Sequence, residues 1–292
     1  MAARGLLGWL FGGAEKGRGV DELAQRLGVT PDELRAFRPV YREFDIPKRA
    51  GGTRRIAAPD ASLKQLQRRI LRRLLARLDS HPAANGFERG RSVVTNALPH
   101  VGKAVVVRLD LRDFFTSTKA RRVGEWLGRI GWNREASDLL VRLCTHYGGL
   151  PQGAPTSPRL SNLVNYRLDA RLSGLAESLD ATYTRYADDM TFSFAEDVCT
   201  SIRKLIRGAT LILAEEGYVL HDRKKLRIWR AHQRQTVTGL VVNESANLPR
   251  ETRRWLRAVR HCMETGQEVT LSPAELQGWL ALESMVSSQS AR

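Results

Sequence analysis

The sequence predicts an α+β domain in which an antiparallel sheet carries helices on one face. Residues Ala104–Leu111 form a β-branched apolar run of the kind found in buried strands. Residues Thr182–Phe194 alternate with period two on both sides of a break at Ala187–Asp189, which predicts a hairpin. Segments with helical spacing lie before, between and after these strands. Strands and helices in this order indicate one layered sheet domain.

The N-terminal part is predicted to be helical. Residues 21–38 predict two short helices, and Thr30, Pro31 and Glu33 form a capping box that starts the second one. The apolar residues of Leu63–Leu78 recur with helical spacing, and the remaining arc of that helix is basic. This arc is either a solvated face or a surface that contacts phosphates.

The middle of the chain alternates strand and helix, and its last part is helical only. Further predicted elements are helices at Val123–Ile130, Leu139–Cys144 and Ile202–Leu213, the last closed by Gly217, and a strand at Thr236–Val242. After Asn243 we expect a helix at Arg250–Met263, with Trp255, Val259, Cys262 and Met263 on one side, and a last helix from the capping box Ser272–Glu275 through Met285, followed by a fraying Ser-rich end.

Charge and composition narrow the class of protein. The chain has 292 residues and a formal net charge of +16, which indicates a nucleic-acid partner because Lys and Arg neutralise phosphates. No apolar run approaches the ~20 residues that span a bilayer, so we expect no membrane partner and a cytoplasmic location. Cys144, Cys199 and Cys262 lie far apart, which argues against both a disulfide framework and a zinc site.

Three aspartates are the candidate catalytic residues. Asp188 and Asp189 lie at the turn of the predicted hairpin, and Asp110 ends a separate apolar strand. An ordinary polar turn would explain the pair alone. A third carboxylate on a neighbouring strand favours a site for hard, oxygen-liganded cations such as Mg²⁺. Two such ions, for which Mn²⁺ can substitute, would support phosphoryl transfer.

Two sequence boxes resemble those of reverse transcriptases. YADDMTFS at 186–193 looks like the YxDD box of that family, and VVRLDLRDFF at 106–115 looks like its first catalytic aspartate strand. Further boxes follow in the family's order: IPKRAGGTRRIAAP at 46–59, GFERGRS at 86–92, LPQGAPTSPRLSN at 150–162, GYVLHDRKK at 217–225 and TVTGLVVN at 236–243. NALPH at 96–100 and VTG at 237–239 are most similar to retron reverse transcriptases.

The resemblance implies a right-hand polymerase with fingers, palm and a short helical thumb. The expected parts are an N-terminal helical extension at 1–40, fingers at 41–103, a palm at 104–245 with a fingers segment at about 120–165, and a thumb at 246–292. The implied activity is RNA-directed DNA synthesis from dNTPs, which copies a structured noncoding RNA into branched single-stranded DNA linked to that RNA, in anti-phage defence. An effector or toxin protein is a further implied partner.

The family pattern also assigns the residues around the reaction. It makes Asp110, Asp188 and Asp189 the metal ligands, together with the backbone carbonyl of Leu111. It assigns the incoming nucleotide to Lys48, Arg54, Phe115, Gln152 and Lys224, with Arg55 sharing the triphosphate. Phe115 would screen the sugar 2′-position, although a core role explains it too. Lys48 and Arg54 could equally form a solvated basic turn.

The RNA-binding candidates are mostly basic. They are Arg68, Arg72, Asn96, His100, Arg250, Arg253, Arg254 and Arg257. A structural histidine is the alternative for His100, and a solvated helix face is the alternative for the last four arginines. Two other functions stay open: a reverse transcriptase of group II introns or diversity elements, and a catalytically silent RNA-binding protein on the same scaffold.

Overall fold

A computed structural model describes residues 17–48, 51–221, 226–265 and 271–290. The chain divides into two compact units. Unit 1 comprises Met1–Ser80 and Asp113–Tyr166, and unit 2 comprises His81–Arg112 and Arg167–Arg292. Each unit is therefore built from two separate stretches of the chain.

The described residues form helices and strands in the following order. The α-helices are α1 (Val20–Leu27), α2 (Pro31–Ala36), α3 (Ala61–Ile70), α4 (Val93–Ala97), α5 (Phe114–Ser117), α6 (Ala120–Arg129), α7 (Arg134–Cys144), α8 (Ser157–Val164), α9 (Tyr166–Glu177), α10 (Cys199–Glu215), α11 (Arg250–Glu264) and α12 (Pro273–Ser290). The strands are β1 (Tyr41–Pro47), β2 (Thr53–Pro59), β3 (Val105–Asp110), β4 (Ala181–Tyr186), β5 (Asp189–Phe194), β6 (Arg227–Arg230), β7 (Thr236–Val237) and β8 (Leu240–Val241).

Unit 1 is a helical body with one antiparallel hairpin. Its core is an apolar cluster that includes Leu23 of α1, Leu63 of α3, Leu127 of α6 and Leu143 of α7. Strands β1 and β2 pair from Tyr41↔Pro59 to Pro47↔Thr53. Most residues of β1 are exposed, so this hairpin extends from the core rather than forming part of it.

Unit 2 contains the main sheet, which has four antiparallel strands in the order β4-β5-β3-β6. Val105, Val106 and Val107 are all buried, so both faces of β3 are covered, which exceeds the single covered face that we expected. Val106 belongs to a second apolar cluster with Val94 of α4 and Leu256 of α11. The centre of the sheet is therefore a fixed platform.

Several elements differ from the sequence prediction. The predicted helix at Leu63–Leu78 is α-helical only to Ile70 and continues as a π-helical turn, Leu71–Leu75. The strand predicted at Thr236–Val242 is a small hairpin, because Thr238 and Gly239 both have positive φ (47° and 85°) and reverse the chain.

The predicted C-terminal helices form, with changes in their details. In α11 Val259 is buried as predicted, together with Leu256, whereas Trp255 and Met263 are exposed, so the buried side only partly matches the prediction. Helix α12 continues through the Ser-rich end to Ser290 instead of fraying. The capping box of Ser272 and Glu275 is confirmed.

The capping box of Thr30 and Glu33 at the start of α2 is also confirmed. None of the helices among the described residues is both long enough and apolar enough to cross a membrane.

Candidate active site

The three aspartates meet at one end of the main sheet. Asp110 is the last residue of β3 and Asp189 the first of β5, and they are direct partners across the two strands. Asp188 precedes Asp189 in the turn, and its backbone oxygen accepts a hydrogen bond of 3.0 Å from the backbone N–H of Leu111. The predicted convergence of Asp110, Leu111, Asp188 and Asp189 is therefore present in unit 2.

The turn between β4 and β5 has an unusual backbone. Ala187 adopts the left-handed conformation, with φ of 58°, which is costly for a residue with a side chain. Its carbonyl accepts a hydrogen bond of 3.0 Å from Nη1 of Arg185. Gly86 lies against the same turn, where a Cβ atom would stand 2.6 Å from the backbone nitrogen of Ala187. The turn is thus held from two sides.

A buried ion pair underlies the turn. Nε and Nη2 of Arg185 donate to the two carboxylate oxygens of Asp169 at 2.7 and 2.6 Å. Tyr183 also donates its hydroxyl to Asp169, at 2.9 Å. The side chains of Asp169 and Arg185 are both 0% exposed. Because a bidentate pair fixes both partners, Arg185 reaches Ala187 from a rigid base.

The pKa of the Asp189 carboxyl group depends on its burial and on the charges around it. Burial raises the pKa of Asp189 to about 6, the Arg108 guanidinium opposes this rise, and the carboxylates of Asp188 and Asp110 add to it. Nε of Arg108 donates to Oδ1 of Asp189. Arg108 was not among the predicted site residues, although it lies two residues before Asp110 in β3 and therefore on the same face of the sheet.

The donor set suits hard divalent cations. All the converging side chains offer carboxylate oxygens, which Mg²⁺ and similar ions prefer. Their mutual repulsion in a partly buried place would be relieved by positive charge. Within the described ranges, no three His, Cys, Asp or Glu side chains stand as a ready-made metal cluster. The chemistry of the residues fits a divalent cation, with the Arg108 guanidinium beside one of the donors.

Unit 1 contains four of the residues predicted to contact the nucleotide, namely Lys48, Arg54, Phe115 and Gln152. Phe115 is half-buried in α5, and its ring lies 5.5 Å from that of Phe114. Gln152 is half-buried in the loop before α8, and its carbonyl accepts a hydrogen bond of 2.8 Å from the N–H of Ala57 in β2. Gly153 has φ of 129°, and a Cβ atom there would lie 2.9 Å from the Ala57 oxygen. Close approach of two backbones therefore fixes the Gln152 loop to β2.

Lys48 and Arg54 lie at the exposed end of the β1–β2 hairpin. The N–H of Lys48 donates to the carbonyl of Gly52 at 2.9 Å, and Arg54 pairs with Ile46. Both basic side chains are exposed. Arg55 instead forms an ion pair with Glu43. Lys224 lies outside the described residues.

Two of the predicted RNA-binding residues have buried side chains. Asn96 and His100 are both 0% exposed, so neither side chain can touch an RNA directly. His100 Nδ1 lies 2.7 Å from the Ser193 hydroxyl and Nε2 lies 2.8 Å from that of Thr184. Burial lowers the pKa of His100 to about 3, so it is a neutral structural residue.

The predicted RNA-binding arginines are all on the surface. Arg68 in α3 and Arg72 in the π-helical turn are exposed, as are Arg250, Arg253, Arg254 and Arg257 in α11. Exposure is compatible with RNA contact and with a solvated face, so these roles stay predictions.

Comparison with known proteins places the fold and site in a family. The model of the family "Reverse transcriptase (RNA-dependent DNA polymerase)" matches residues 46–238. Retron Mx65 reverse transcriptase of Myxococcus xanthus is 40% identical over 93% of this chain and 69% of its own length. Retron Mx162 reverse transcriptase of the same organism is 40% identical over 85% of this chain and 59% of its own length.

A third relative comes from another organism. Retron Ec86 reverse transcriptase of Escherichia coli is 36% identical over 86% of this chain and 78% of its own length. Among solved structures, apo telomerase from Candida tropicalis has a TM-score of 0.48 and 14% identity over 72% of this chain and 55% of that chain, which is too distant to carry an argument. The family model and the retron relatives span the strands and turn that carry the three aspartates, and the chain therefore belongs to the reverse transcriptases, RNA-dependent DNA polymerases, of the bacterial retron type.

Proposed function

We propose that this reverse transcriptase copies a structured noncoding RNA into single-stranded DNA that remains linked to that RNA. The direct pairing of Asp110 with Asp189, with Asp188 in the adjoining turn, carries the catalytic part of the proposal. The retron relatives and the NALPH and VTG elements support the choice of product. A role in anti-phage defence, with an effector or toxin protein as partner, belongs to the same proposal.

The aspartates would hold two Mg²⁺ ions, with Mn²⁺ able to substitute and with the Leu111 carbonyl as a further oxygen ligand. When bound, such ions lower the pKa of an attacking hydroxyl and stabilise the leaving pyrophosphate. The chain itself supplies the fixed positions of these oxygens. Asp110 and Asp189 are anchored by the sheet, and Asp188 by the braced turn.

Four side chains of unit 1, together with Lys224, would contact the nucleotide. Lys48 and Arg54 are exposed cations on one hairpin and suit a triphosphate, and Lys224 is the third candidate. Gln152 lies in a loop whose backbone is fixed to β2 and would abut the base or sugar. The Phe115 ring would exclude a 2′-hydroxyl. Phe115→Val should then narrow the ratio of kcat/KM for dGTP over GTP, and an unchanged ratio in a folded variant would return Phe115 to a core role.

The RNA would be held by exposed arginines. Arg68 and Arg72 are the candidates in unit 1, and the α11 arginines at 250, 253, 254 and 257 are the candidates in the proposed thumb. We place the enzyme in the cytoplasm, in keeping with three free cysteines. Charge reversal at Arg253 and Arg254 should weaken RNA binding and reduce its salt dependence, and unaltered binding would indicate a solvated face.

Removal of single carboxylates tests the catalytic proposal. Asp110→Asn and Asp188→Asn should each abolish primer extension with Mg²⁺ while leaving RNA binding nearly intact, because each removes a charge but little volume. Asp197→Asn is a matched control, since Asp197 pairs with Arg230 on the surface. Normal primer extension by either variant would show that the substituted aspartate is not a catalytic residue.

The nature of the product tests the retron proposal. We propose that a guanosine 2′-hydroxyl within the noncoding RNA primes synthesis, which would create a 2′,5′-linked branch. Nucleic acid copurified from cells should contain DNA attached to RNA, and debranching enzyme should release the DNA 5′ end. DNA joined only through 3′,5′ linkages to a separate primer would favour an intron- or diversity-element-type enzyme, while RNA bound without any DNA product would favour a silent RNA-binding protein.

A further inference from the structure

An exposed tyrosine occupies an unfavourable turn in unit 1. The backbone N–H of His146 donates to the Gly149 carbonyl at 2.9 Å, so that Tyr147 and Gly148 form a two-residue turn. Their φ angles are 46° and 75°. Two successive positive φ values are typical of a type I′ turn, which favours Asn, Asp and Gly. Turn formation alone therefore does not explain Tyr147.

Tyr147 is the outer member of a row of three rings, which we call the aromatic stack. The Tyr41 and His146 rings are stacked, and the Tyr147 ring is tilted by 45° relative to His146. The Tyr147 ring centroid lies 4.2 Å from that of His146, and the His146 centroid lies 4.3 Å from that of Tyr41. The two inner rings have polar anchors. His146 Nε2 lies 2.7 Å from a carboxylate oxygen of Glu43, and Gln67 donates a hydrogen bond of 2.9 Å to the Tyr41 hydroxyl.

The aromatic stack ends at the protein surface. Tyr147 is 86% exposed, although a tyrosine ring usually gains free energy from burial. The support beneath it is rigid. The Gly148 carbonyl accepts a hydrogen bond of 2.9 Å from the N–H of Ala120, and a Cβ atom on Gly149 would stand 2.3 Å from the Thr116 carbonyl oxygen. The turn that carries the ring is thus preorganised, so binding a ligand there costs little conformational entropy.

Positive charge lies next to the exposed ring. The Arg55 side chain is 74% exposed and pairs with Glu43, whose second carboxylate oxygen contacts His146 of the aromatic stack. Lys119 is exposed and forms a β-bridge with Gly149 of the same turn. An aromatic face flanked by cations fits a planar base joined to phosphates better than it fits an apolar protein surface.

We propose that the Tyr147 ring is a stacking site for a base of single-stranded RNA, with Arg55 and Lys119 beside the adjoining phosphates. Aromatic platforms in basic surroundings bind single strands in this way without strong sequence preference, because every base has a π-face. The inference rests on the proposed function for the identity of the ligand, and it adds where an unpaired part of the RNA is held.

Fluorescence of a base analogue tests the stacking directly. A short single-stranded RNA containing 2-aminopurine is titrated with the full-length protein in the absence of dNTPs and metal ions. Stacking on the ring should quench the fluorescence for the wild type and for Tyr147→Phe, which keeps the ring. Tyr147→Asn should lose the quench and weaken binding by roughly 5- to 100-fold, since Asn tolerates positive φ but offers no aromatic face.

The outcomes separate this site from the catalytic proposal. Equal quenching and affinity for Tyr147→Asn and the wild type would overturn the stacking site, as would equal losses in Tyr147→Phe and Tyr147→Asn. Unchanged RNA binding together with Tyr147-dependent self-association would identify a protein surface instead. Primer extension by the wild type is measured in parallel, and its absence would defeat the proposed function without altering the reading of the fluorescence.

Discussion

Two antiparallel hairpins, one in each unit, carry residues of opposite charge, and they are built differently. In unit 2, β4–β5 lies within a four-stranded sheet, and Met190 and Phe192 are fully buried. In unit 1, β1–β2 is a two-stranded sheet of its own, and even Phe44 and Ile46 are 43% and 37% exposed. The acidic turn stands on a packed platform, whereas the basic hairpin is open to water.

The difference follows from what each charge must do. Three carboxylates that repel one another stay close only if the surrounding fold fixes them, and burial of Asp189 makes this more demanding. Lys48 and Arg54 are exposed and keep their hydration, and in their proposed role they would need only to reach a mobile triphosphate. We therefore expect substitutions near β4–β5 to affect stability first and substitutions in β1–β2 to affect binding first.

The largest effect is expected for Asp169→Asn beneath the acidic turn. The change leaves the buried Arg185 charge without its carboxylate, so the free energy of unfolding should fall by about 3–5 kcal/mol. Chemical denaturation of the metal-free protein measures it. The control is Asp197→Asn, the same substitution in an exposed pair with Arg230, which should cost about 0–1 kcal/mol. Similar losses for both variants would mean that the buried pair does not support the hairpin.

A smaller effect, on binding, is expected for Arg54→Ala in the basic hairpin. Loss of charge-assisted hydrogen bonds to the triphosphate should lower kcat/KM for dNTPs by roughly 10- to 100-fold. The melting temperature should not change, because the side chain is exposed. Arg42→Ala, an exposed arginine far from the tip of the same hairpin, is the matched control. If Arg42→Ala lowered kcat/KM as much, general charge rather than a specific clamp would be responsible.

The smallest effect concerns His100, which contacts β4 and β5 from the 3₁₀ turn after α4. Its folded pKa of about 3 lies below the usual value of about 6.5, so the unfolded chain binds a proton first as the pH falls. The contribution of His100 to the free energy of unfolding is therefore fully present above pH ~7. It should decrease by about 1.4 kcal/mol when the pH is lowered from ~7.5 to ~5.5.

The variant His100→Asn isolates this dependence, because Asn can hydrogen-bond to Ser193 and Thr184 but does not titrate. Its free energy of unfolding should change less with pH than that of the wild type over the same interval. Parallel pH profiles for the two proteins would show that the pKa of His100 is the same in the folded and unfolded states, and would contradict a neutral, buried His100 at the centre of the sheet.

Local patterns in the sequence were sufficient for the parts of the fold that depend on near neighbours. The β-branched run predicted β3, alternation around Asp188 predicted the β4–β5 hairpin, and spacing predicted both capping boxes. The order of the sequence boxes along the chain then indicated that Asp110 belongs to the same site as Asp188 and Asp189. These features are determined by residues within a turn or strand of each other.

Features that depend on tertiary packing were missed or mistaken. His100 and Asn96 belong to a retron-like element, but only the packed fold shows that they are buried. The Asp169–Arg185 pair joins a helix to a strand, and no spacing rule connects them. The exposure of Tyr147 could not be predicted either, since tyrosine is intermediate between the residues that are usually buried and those that are usually exposed.

Substitutions of Gly86 should be harmful even though glycine has no reactive side chain. It contributes no side chain to any step, yet the space for even a methyl group is taken by the Ala187 backbone. A missense change at this codon should therefore displace the turn that carries Asp188 and reduce DNA synthesis, although every acidic residue would be retained. In a mutational scan that measures DNA synthesis, substitutions of Gly86 should therefore lower activity, as substitutions of Asp188 do. A search for inactive alleles that considered only the acidic residues would not find them.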